Sequence, residues 1–530
     1  MDLEYFLNDR KSFEQKGLKM PDYDIYKMRK DTKENPQWIH FGAGNLFRGY
    51  IASLADDLLN KKEINTGIIA ASCHHSNNFK SVFKDNDNLT IKAILNEDGH
   101  IDYRLIASVA DNVNVENAYN FNRLKEIFKK ESLKFVTFTI TEKGYEVFDS
   151  QGSVKKKIID QIEKEFPQDT MLSIASLLYE RYKLDLNISV ISFDNFSHNG
   201  IKLKKSIKEM AKLLVDKKGY DKEFLDYLDD GEKITFPNTT IDKITPEASM
   251  DIKKDLIKKE IIVDNKNEDK NKQIFVNTEK KEYLVIEDNF TNGKIPLDKV
   301  GVFFVDKSTV DKFEKMKVCT CLNPIHTALA IFGKLLDKDS ISECMEDYDL
   351  NKLTKKLGFN EGMKTVSDPE IVDPKEFLKE VLEKRLPNPF IPDTPSRIAT
   401  DTSQKLKIRF GETIKSYIED EKLDLNELEI IPLVIAGWLR YLMGVDDFGM
   451  KMEISSDPLL EEIKDKLEKV KFKGDFNEHD IKNVLKMKNI FGLDLTEHED
   501  FCKKIIDEFR FMNEKEENVR KLLKEKVEDE

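Results

Sequence analysis

Short apolar runs of strand length alternate with amphipathic stretches over the first 300 residues of the chain. The runs are rich in β-branched and aromatic residues, and in order they are QWIHF (37–41), GIIAAS (67–72), LTIKAIL (89–95), RLIASVA (104–110), KFVTFTIT (134–141), ISVISF (188–193) and VGVFFVD (300–306). Strands that alternate with helical patterns are typical of an α/β domain with a mainly parallel sheet. Residues 1–36 predict short helices and a loop, whereas the charged stretch 250–282 carries only weak order signals.

The pattern changes from Lys312 onward. Apolar residues now recur at helical spacing and strand-like runs nearly vanish, as in NPIHTALAIFGKLLDK, DPKEFLKEVLEKRL, ELEIIPLVIAGWLRYLM and HEDFCKKIIDEFRFMNEK. We therefore predict two domains, an α/β domain over 1–305 and a mainly α-helical C-terminal domain over 306–530.

Composition then narrows the class of protein. With 39% hydrophobic residues among 530, the chain has enough apolar material for packed cores, while its net charge of −14 argues against a nucleic-acid partner. Five cysteines without a CxxC pair predict neither a disulfide framework nor a zinc site of that type. The N terminus lacks the apolar region of a signal peptide, and no run approaches the ~20 apolar residues of a membrane helix. We expect a cytoplasmic protein with no membrane partner.

The sequence Gly42-Ala43-Gly44 follows the first apolar strand and precedes a helical pattern. A dinucleotide pyrophosphate needs a tight turn there, a glycine where backbone meets phosphate, and the free N–H groups of a helix N-terminus. Because Phe47 replaces the third glycine of GxGxxG, the segment is either an ordinary turn or the phosphate turn of a Rossmann-like NAD(P)-binding domain. On the second interpretation the candidate cofactor-binding residues are Phe41, Gly42, Gly44, Asn45, Leu46, Phe47 and Arg48. Arg48 is then either a surface residue or a ligand of the pyrophosphate or of a substrate carboxylate.

The second strand ends in AASCHH (70–75), without the acidic residue that reads the adenosine ribose, so NAD and NADP both stay open. His74 and His75 are expected to be solvent-facing loop residues rather than metal ligands. Thr141 and Glu142 follow a later strand, at the edge where open α/β sheets bind ligands, and are further cofactor-binding candidates. Glu142 either lies near the nicotinamide or forms an ion pair, to Lys143 or elsewhere.

Asn323 and His326 are three residues apart at a predicted helix start, which places both side chains on one face. With Pro324 at the first helical position, the pair is either a helix cap beside a structural histidine or a set of groups for chemistry. Oxidation of a secondary alcohol by a nicotinamide needs a base for the hydroxyl proton and donors for the developing alkoxide.

Several longer motifs occur in a characteristic order. They are FGAGNLFR (41–48), TITEKGY (139–145), SFDNFSHNG (192–200), TIDKITP (240–246), VIEDNFTNG (285–293), CLNPIHTALA (321–330) and NPFIPDTPSRIATDTSQK (388–405). In this order they resemble the polyol-specific long-chain dehydrogenases, the family of mannitol 2-dehydrogenase, fructuronate reductase and tagaturonate reductase. The resemblance implies an α/β nucleotide-binding domain, a helical domain, an active site between them, and NAD-dependent secondary-alcohol dehydrogenation with NADP not excluded.

The resemblance also implies a catalytic set. By position in the motifs, Asn195 and Asn323 donate to the substrate oxygen, and His326 hydrogen-bonds the substrate or orients a lysine base. No metal is expected, because the lysine replaces zinc in stabilising the alkoxide.

The lysine itself departs from the family spacing. The family lysine precedes the asparagine by five residues, where this chain has Val318, so we choose Lys317, which follows Met316 as in the family. On a regular helix Lys317 would lie opposite His326. The choice therefore requires a non-helical or bulged turn between lysine and asparagine, and Lys315 is the alternative base.

The resemblance assigns Arg397 and Lys405 to substrate oxygens, and Arg409 extends the same cationic stretch. Since arginine binds carboxylates bidentately, this favours a sugar acid, with D-fructuronate and D-mannonate as the leading pair. Mannitol 2-dehydrogenase and tagaturonate reductase are alternatives in this class, and a non-catalytic sugar-binding paralogue is the alternative outside it. Asp242, followed by Lys243 where the family has arginine, is expected to brace the site. The expected partner is a small sugar acid or polyol, with the chain a monomer or a homodimer.

Overall fold

The strands of the protein lie in its first 310 residues. The structure is a computed structural model that describes residues 2–73, 77–263 and 269–528, without the side chains of Asn77 and Asn271. The chain divides into two compact units, Met1–Val310 and Asp311–Glu530. The strands are β1 (Leu18–Lys19), β2 (Trp38–Phe41), β3 (Ile68–Ser72), β4 (Thr90–Leu95), β5 (Ile101–Ile106), β6 (Val109–Asn114), β7 (Phe135–Phe138), β8 (Ile188–Ser192), β9 (Ile234–Thr235), β10 (Thr239–Asp242), β11 (Phe275–Glu279), β12 (Tyr283–Glu287) and β13 (Phe303–Val305).

The first unit is an α/β fold built on a six-stranded parallel sheet of order β6-β3-β2-β7-β8-β9. From β2 the chain runs through β3 to β6 on one side and then through β7 to β9 on the other. Ile39 of β2 therefore lies in register with Ile69 on one side and Val136 on the other. The carboxyl end of β2 is thus the point where strand order reverses, and such points are where open α/β sheets bind ligands.

Two predicted runs differ in detail. RLIASVA divides between β5 and β6, and LTIKAIL forms β4, which pairs antiparallel with β5 outside the parallel sheet. These strands belong to a four-stranded sheet of order β1-β5-β4-β11, and a third sheet has the order β10-β12-β13. The stretch 250–282 was expected to be weakly ordered. Its described residues include a helix and the strand β11, because apolar residues such as Ile252, Leu256 and Phe275 are buried in a common core.

Helices and the smaller sheets cover both faces of the six-stranded sheet. Ile39 and Phe41 belong to a core with Leu124 and Leu177, whereas Trp38 belongs to a second core with residues of the helix that follows β2. This alternation is the period-two pattern of a strand buried on both faces. The helices of this unit are α1 (Leu3–Asn8), α2 (Arg10–Gln15), α3 (Ile25–Glu34), α4 (Ala52–Asn60), α5 (Asn77–Phe83), α6 (Ala118–Phe128), α7 (Lys156–Ile162), α8 (Thr170–Lys183), α9 (Asn199–Lys218), α10 (Glu223–Asp229) and α11 (Met250–Lys258).

The second unit is mainly α-helical, as the spacing predicts. Its helices are α12 (Lys307–Lys315, which begins in the first unit), α13 (Asn323–Leu335), α14 (Ile341–Glu346), α15 (Tyr348–Lys355), α16 (Pro374–Glu380), α17 (Pro395–Ile398), α18 (Thr402–Leu406), α19 (Glu412–Glu419), α20 (Ile430–Tyr441), α21 (Leu460–Lys466), α22 (Glu478–Leu485), α23 (Lys488–Phe491), α24 (Glu499–Glu514) and α25 (Asn518–Val527). Every residue of α20 is buried. At Gly437 a Cβ would lie 2.8 Å from the Phe332 ring of α13, so glycine is what lets these two helices approach.

Helix α12, the residues after it and helix α13 form one helical stretch that is longer and more apolar than the sequence runs predict. Lys307–Leu335 spans 29 residues and reaches a mean hydropathy of 1.2 over 18 residues, enough by length and composition to cross a membrane. Since 78% of that window is buried inside the protein, as in the core helix of a folded domain, these two properties are weak evidence for a membrane span.

Candidate functional site

The glycine turn after β2 has the geometry that a phosphate turn requires. Gly42 has φ +141°, and a Cβ there would lie 2.5 Å from the backbone oxygen of Thr139, so only glycine fits. A Cβ on Gly44, in contrast, would meet nothing within 4 Å. The following helix begins at Asn45, and the first N–H groups of a helix have no intrahelical partner. An open glycine beside a helix start is a cradle that fits a pyrophosphate, which carries negative charge.

The flanking candidates have different surroundings. Phe41 and Phe47 are buried, Phe41 against Phe138 and Phe47 stacked on His40 with ring centroids 4.0 Å apart. Their side chains therefore pack in the cores, and a cofactor role is left to their backbone. Leu46 is half-buried beside the same core.

Arg48 is not the surface residue that one interpretation allowed. It is 1% exposed, and its guanidinium donates to the Gln273 carbonyl at 2.8 Å and to Asn45 Oδ1 at 3.0 Å. The Asn45 amide in turn donates to the Pro246 carbonyl at 3.0 Å. Burial lowers the pKa of Arg48 to about 10. The two polar side chains of this helix start thus fix the neighbouring segments of the unit.

Thr141, Glu142 and Asn195 all follow the carboxyl ends of β7 and β8 and are exposed. Glu142 pairs with Lys202 at 2.7 Å, which bears out the ion-pair alternative with a partner other than Lys143. His74 and His75, and with them the end of the segment that distinguishes NAD from NADP, lie outside the described residues.

The turn that carries Asn195 is held by a residue of the same motif that sequence reasoning passed over. Asn199, 1% exposed, donates to the carbonyls of Asp194 and Thr239, each at 3.0 Å, and accepts from the Thr239 amide at 2.9 Å. At Gly200 a Cβ would lie 2.4 Å from the Phe236 carbonyl. Asn199 and Gly200 of SFDNFSHNG therefore fix the turn. The asparagine–glycine pair at the end of the motif is the sequence feature that could have indicated this role.

Lys317 lies in a π-helical segment, Met316–Cys321, between α12 and α13. The Leu322 N–H donates to the Lys317 carbonyl at 3.1 Å, the i to i+5 bond of a π-bulge, which adds one residue to the turn. Lys317 and His326 are nine residues apart, which on a regular helix places their side chains about 180° apart around the axis. With the one inserted residue left out of the count, eight positions separate them and the angle falls to about 80°. The extra residue relative to the family spacing is therefore absorbed, as the choice of Lys317 requires. Lys317 is 3% exposed, whereas Lys315 is exposed.

His326 occupies the first turn of α13, one residue before Thr327. Its Nε2 is buried without a hydrogen bond among the described residues, although Asp393 Oδ2 lies 3.3 Å away. Burial and then the charges of Arg409, Arg397, Arg385 and Lys405 lower the pKa of His326 to about 3. The imidazole is therefore neutral at neutral pH, with an unused polar atom. Asn323 begins the same helix and is half-buried.

The structure brings the three predicted substrate-binding cations into this electrostatic neighbourhood. Arg409 donates to Thr327 Oγ1, and burial lowers its pKa to about 10. Lys405 donates to the carbonyls of Ile398 and Thr400, and burial together with Arg409 lowers its pKa to about 8. Four cations that each disfavour protonation of one histidine create a positive field suited to an anion.

Two members of this group were missed from sequence. Asp393 pairs with Arg397 and is 7% exposed, and Arg385 is 5% exposed. Asp393 lies inside the motif 388–405, four residues before Arg397. This position in the motif is the sequence feature that could have indicated its role. Arg385 lies outside the quoted motifs.

π-bulges occur at several of these positions. Arg48 lies in the π-helical segment Phe47–Ile51, Lys317 in Met316–Cys321, Arg385 in Val381–Arg385 and Arg409 in Lys407–Gly411. Such bulges are frequent at functional sites because the inserted residue redirects a side chain.

Asp242 and Lys243 lie at the end of β10. Asp242 is 5% exposed, and the Lys243 ammonium lies 2.9 Å from Glu282 Oε2 and 5.6 Å from the Tyr50 ring centroid. Lys243 thus joins the end of β10 to Glu282, and the bracing role of Asp242 stays an expectation. Within the described residues, no group of three or more His, Cys, Asp or Glu side chains is placed to hold a metal ion.

Comparison with known proteins identifies relatives of both units. The family model for the mannitol dehydrogenase Rossmann domain matches residues 36–299, and that for the mannitol dehydrogenase C-terminal domain matches 309–513. The D-mannonate oxidoreductase of Thermotoga maritima is 44% identical over 98% of either chain.

Two solved structures share the fold. A substrate-free D-sorbitol dehydrogenase superposes with a TM-score of 0.80 at 25% identity, covering 96% of this chain and 97% of its own. The Pseudomonas fluorescens mannitol 2-dehydrogenase, in a ternary complex with NAD and D-mannitol, gives 0.69 at 23% identity over 96% of each chain.

Proposed function

Because the chain belongs to the mannitol dehydrogenase family, we propose that it is a nicotinamide-dependent oxidoreductase that interconverts D-fructuronate and D-mannonate. The 44% identity over nearly the full length to a D-mannonate oxidoreductase supports this substrate pair over a free polyol.

The structural observation that carries the proposal is the cationic group around His326. Arg409 donates to Thr327, the residue after His326, and Arg397 pairs with Asp393, whose other oxygen lies 3.3 Å from His326 Nε2. These two arginines, with Arg385 and Lys405, lower the pKa of the buried imidazole. Among the described residues, Asp393 is the carboxylate that lies beside the histidine and pairs with Arg397. An anionic substrate supplies negative charge to such a group, and arginine is suited to a carboxylate.

We assign roles to this chain's residues as follows. Lys317 accepts the hydroxyl proton of the sugar acid during oxidation and returns it during reduction. Asn195 and Asn323 donate to the substrate oxygen as it gains charge. His326, kept neutral by its surroundings, hydrogen-bonds the substrate through Nε2, and Arg397, Lys405 and Arg409 bind the carboxylate. The Gly42–Gly44 turn would hold the pyrophosphate of the cofactor and Thr141 would lie near its nicotinamide, which would supply the hydride acceptor or donor.

The cofactor choice between NAD and NADP is part of the test. Purified protein is assayed with D-fructuronate, D-tagaturonate and D-fructose, each with NADH and with NADPH. We expect the highest kcat/KM with D-fructuronate. Activity on D-fructose alone would overturn the sugar-acid assignment, and binding of a sugar acid without any cofactor oxidation would indicate a non-catalytic paralogue. The same preparation, run on a sizing column with light scattering, distinguishes the monomer and homodimer that we propose as the alternatives.

A further inference from the structure

The loop after β7 contains a strained residue at a candidate cofactor position. Thr141 has φ +69° and ψ 155°, a region that is populated essentially by glycine. A β-branched residue pays more for a positive φ than most others, because its Cβ substituents crowd the backbone. Such a conformation persists only where the surroundings impose it, and it is concentrated at functional sites.

The group that imposes it is the carboxylate of Asp194, at the carboxyl end of the neighbouring strand β8. Asp194 Oδ1 accepts from the Thr141 N–H at 2.9 Å and Oδ2 accepts from the Ile140 N–H at 3.0 Å. The Tyr145 hydroxyl, at the other end of the loop, donates to Oδ2 at 2.6 Å. One carboxylate therefore joins the start and the end of the loop 139–145.

Asp194 is also fixed on its own side. It is 8% exposed, its N–H donates to Ser192 Oγ at 3.2 Å, and its carbonyl accepts from Phe196 N–H and from the Asn199 amide, each at 3.0 Å. The next residue is Asn195, the candidate donor to the substrate oxygen. The side chain of Asp194 thus reaches the candidate cofactor loop while its backbone leads into the candidate substrate donor.

We propose that Asp194 is a positioning residue that holds Thr141 at positive φ and so fixes the cofactor loop 139–145 relative to Asn195. This inference rests on the proposed nicotinamide-dependent function. It assigns to Asp194 no contact with cofactor or substrate. It also explains why a carboxylate stands here, since two oxygens can accept from both backbone N–H groups and from the tyrosine, whereas an amide offers one accepting oxygen.

The test compares three variants by NADH fluorescence titration and by steady-state kinetics, in full-length protein. Asp194→Asn keeps the shape but loses one accepting oxygen. We expect about a tenfold rise in the NADH dissociation constant together with a lower kcat, since a charge-assisted hydrogen bond is removed. Tyr145→Phe is the matched control, because it removes only the hydroxyl donor and leaves both backbone bonds. We expect its NADH dissociation constant to stay within about threefold of wild type.

Rescue separates positioning from general stability. Glycine adopts the Thr141 conformation without strain but removes a side chain at a candidate cofactor position, so Thr141→Gly is the third variant and the reference for the double variant. Adding Asp194→Asn to Thr141→Gly should raise the NADH dissociation constant by less than about threefold. If Asp194→Asn alone does not fold, the double variant must fold and bind NADH.

Each other outcome overturns the inference. An Asp194→Asn protein with wild-type NADH affinity and kcat shows that the carboxylate positions nothing. Loss of affinity in Tyr145→Phe as large as in Asp194→Asn assigns the effect to the hydroxyl. An Asp194→Asn effect that is as large in the Thr141→Gly protein as in the wild type shows that Thr141 is not what Asp194 holds. If the wild-type protein neither binds nor oxidises NADH or NADPH, the proposed function itself fails and the inference falls with it.

Discussion

His326 Nε2 lies 3.3 Å from Asp393 Oδ2, and the other oxygen of the same carboxylate pairs with the Arg397 guanidinium. The carboxylate thus joins a candidate catalytic residue on α13 to a candidate substrate-binding residue on α17. We expect Asp393→Asn to lower kcat/KM for D-fructuronate by about tenfold or more, because a charged hydrogen bond contributes ~1.5–3 kcal/mol and Arg397 loses its anchor.

The control is a carboxylate–arginine pair of the same kind on the surface of the same unit. Asp507 lies 2.6 Å from Arg510, with both side chains about half exposed, and surface pairs of this type contribute little. Asp507→Asn should leave kcat/KM unchanged. Equal losses in the two variants would remove Asp393 from the site.

Lys405 gives the proposed carboxylate site a pH dependence. Burial and Arg409 lower its pKa to about 8, so the ammonium is charged below that pH and loses its proton as the pH rises through it. We expect the dissociation constant for D-mannonate, measured by calorimetry without turnover, to rise between pH 7 and 9.5. Lys405→Arg keeps its charge over this range and should flatten the dependence. A dependence that persists unchanged in Lys405→Arg would assign it to another group.

Lys317 and Lys315 are distinguished by burial. Lys317 is 3% exposed in the π-bulge, and Lys315, two residues earlier, is exposed. We expect Lys317→Ala to lower kcat by about 10²–10⁴-fold, the contribution of a general base, with the NADH dissociation constant unchanged. Lys315→Ala should retain wild-type kcat. The reverse pattern would make Lys315 the base.

Much of the fold could be read from the sequence because its signals are local. The buried strands of the parallel sheet, such as Ile68–Ser72 and Ile188–Ser192, are short apolar runs, and the helical unit follows from periodicity. Sheet membership could not be read in the same way. Residues 89–95 are a clear strand, and one partner, β5, follows after a short loop. The other partner, β11, lies far along the chain, and no local signal indicates that pairing.

In the candidate site, too, residues with a local sequence signal could be predicted, and residues that act only through tertiary packing could not. Gly42 and Asn323 are recognisable because a turn and a helix start have their own sequence requirements. Arg385 and Asp393 act through space on His326, and neither spacing nor composition indicates which helix they face. For Arg48 the sequence left a surface position or a phosphate ligand open. In the structure its guanidinium donates to Gln273 and Asn45 within the first unit.

Glu361 stabilises the buried helix α20 from outside it. Its Oε1 accepts from the N–H groups of Glu429 and Ile430 at 2.7 and 2.6 Å, and its Oε2 accepts from Ile431 at 2.9 Å. Helix α20 has no side-chain cap of its own, so Glu361→Ala leaves three helical N–H groups unpaired in a buried setting. We expect the free energy of unfolding to fall by about 2–3 kcal/mol, measured by urea denaturation.

The neighbouring Glu427 is the control for that measurement. It pairs with Lys364 at 2.9 Å and its side chain is 58% exposed, so Glu427→Ala should cost less than about 1 kcal/mol. A similar loss in both variants would show that the cap contributes no more than a surface ion pair.

Gly44 offers a test of the phosphate turn that leaves the fold intact. A methyl group on Gly44 meets nothing within 4 Å, so Gly44→Ala should keep the thermal unfolding midpoint of the wild type. If a pyrophosphate approaches the backbone there, the same methyl occupies its space, and the NADH dissociation constant should rise by at least about tenfold. Gly231 is the matched control, since it is exposed and its added Cβ also meets nothing within 4 Å. Gly231→Ala should bind NADH as the wild type does, and unchanged affinity in Gly44→Ala as well would place the pyrophosphate away from this turn.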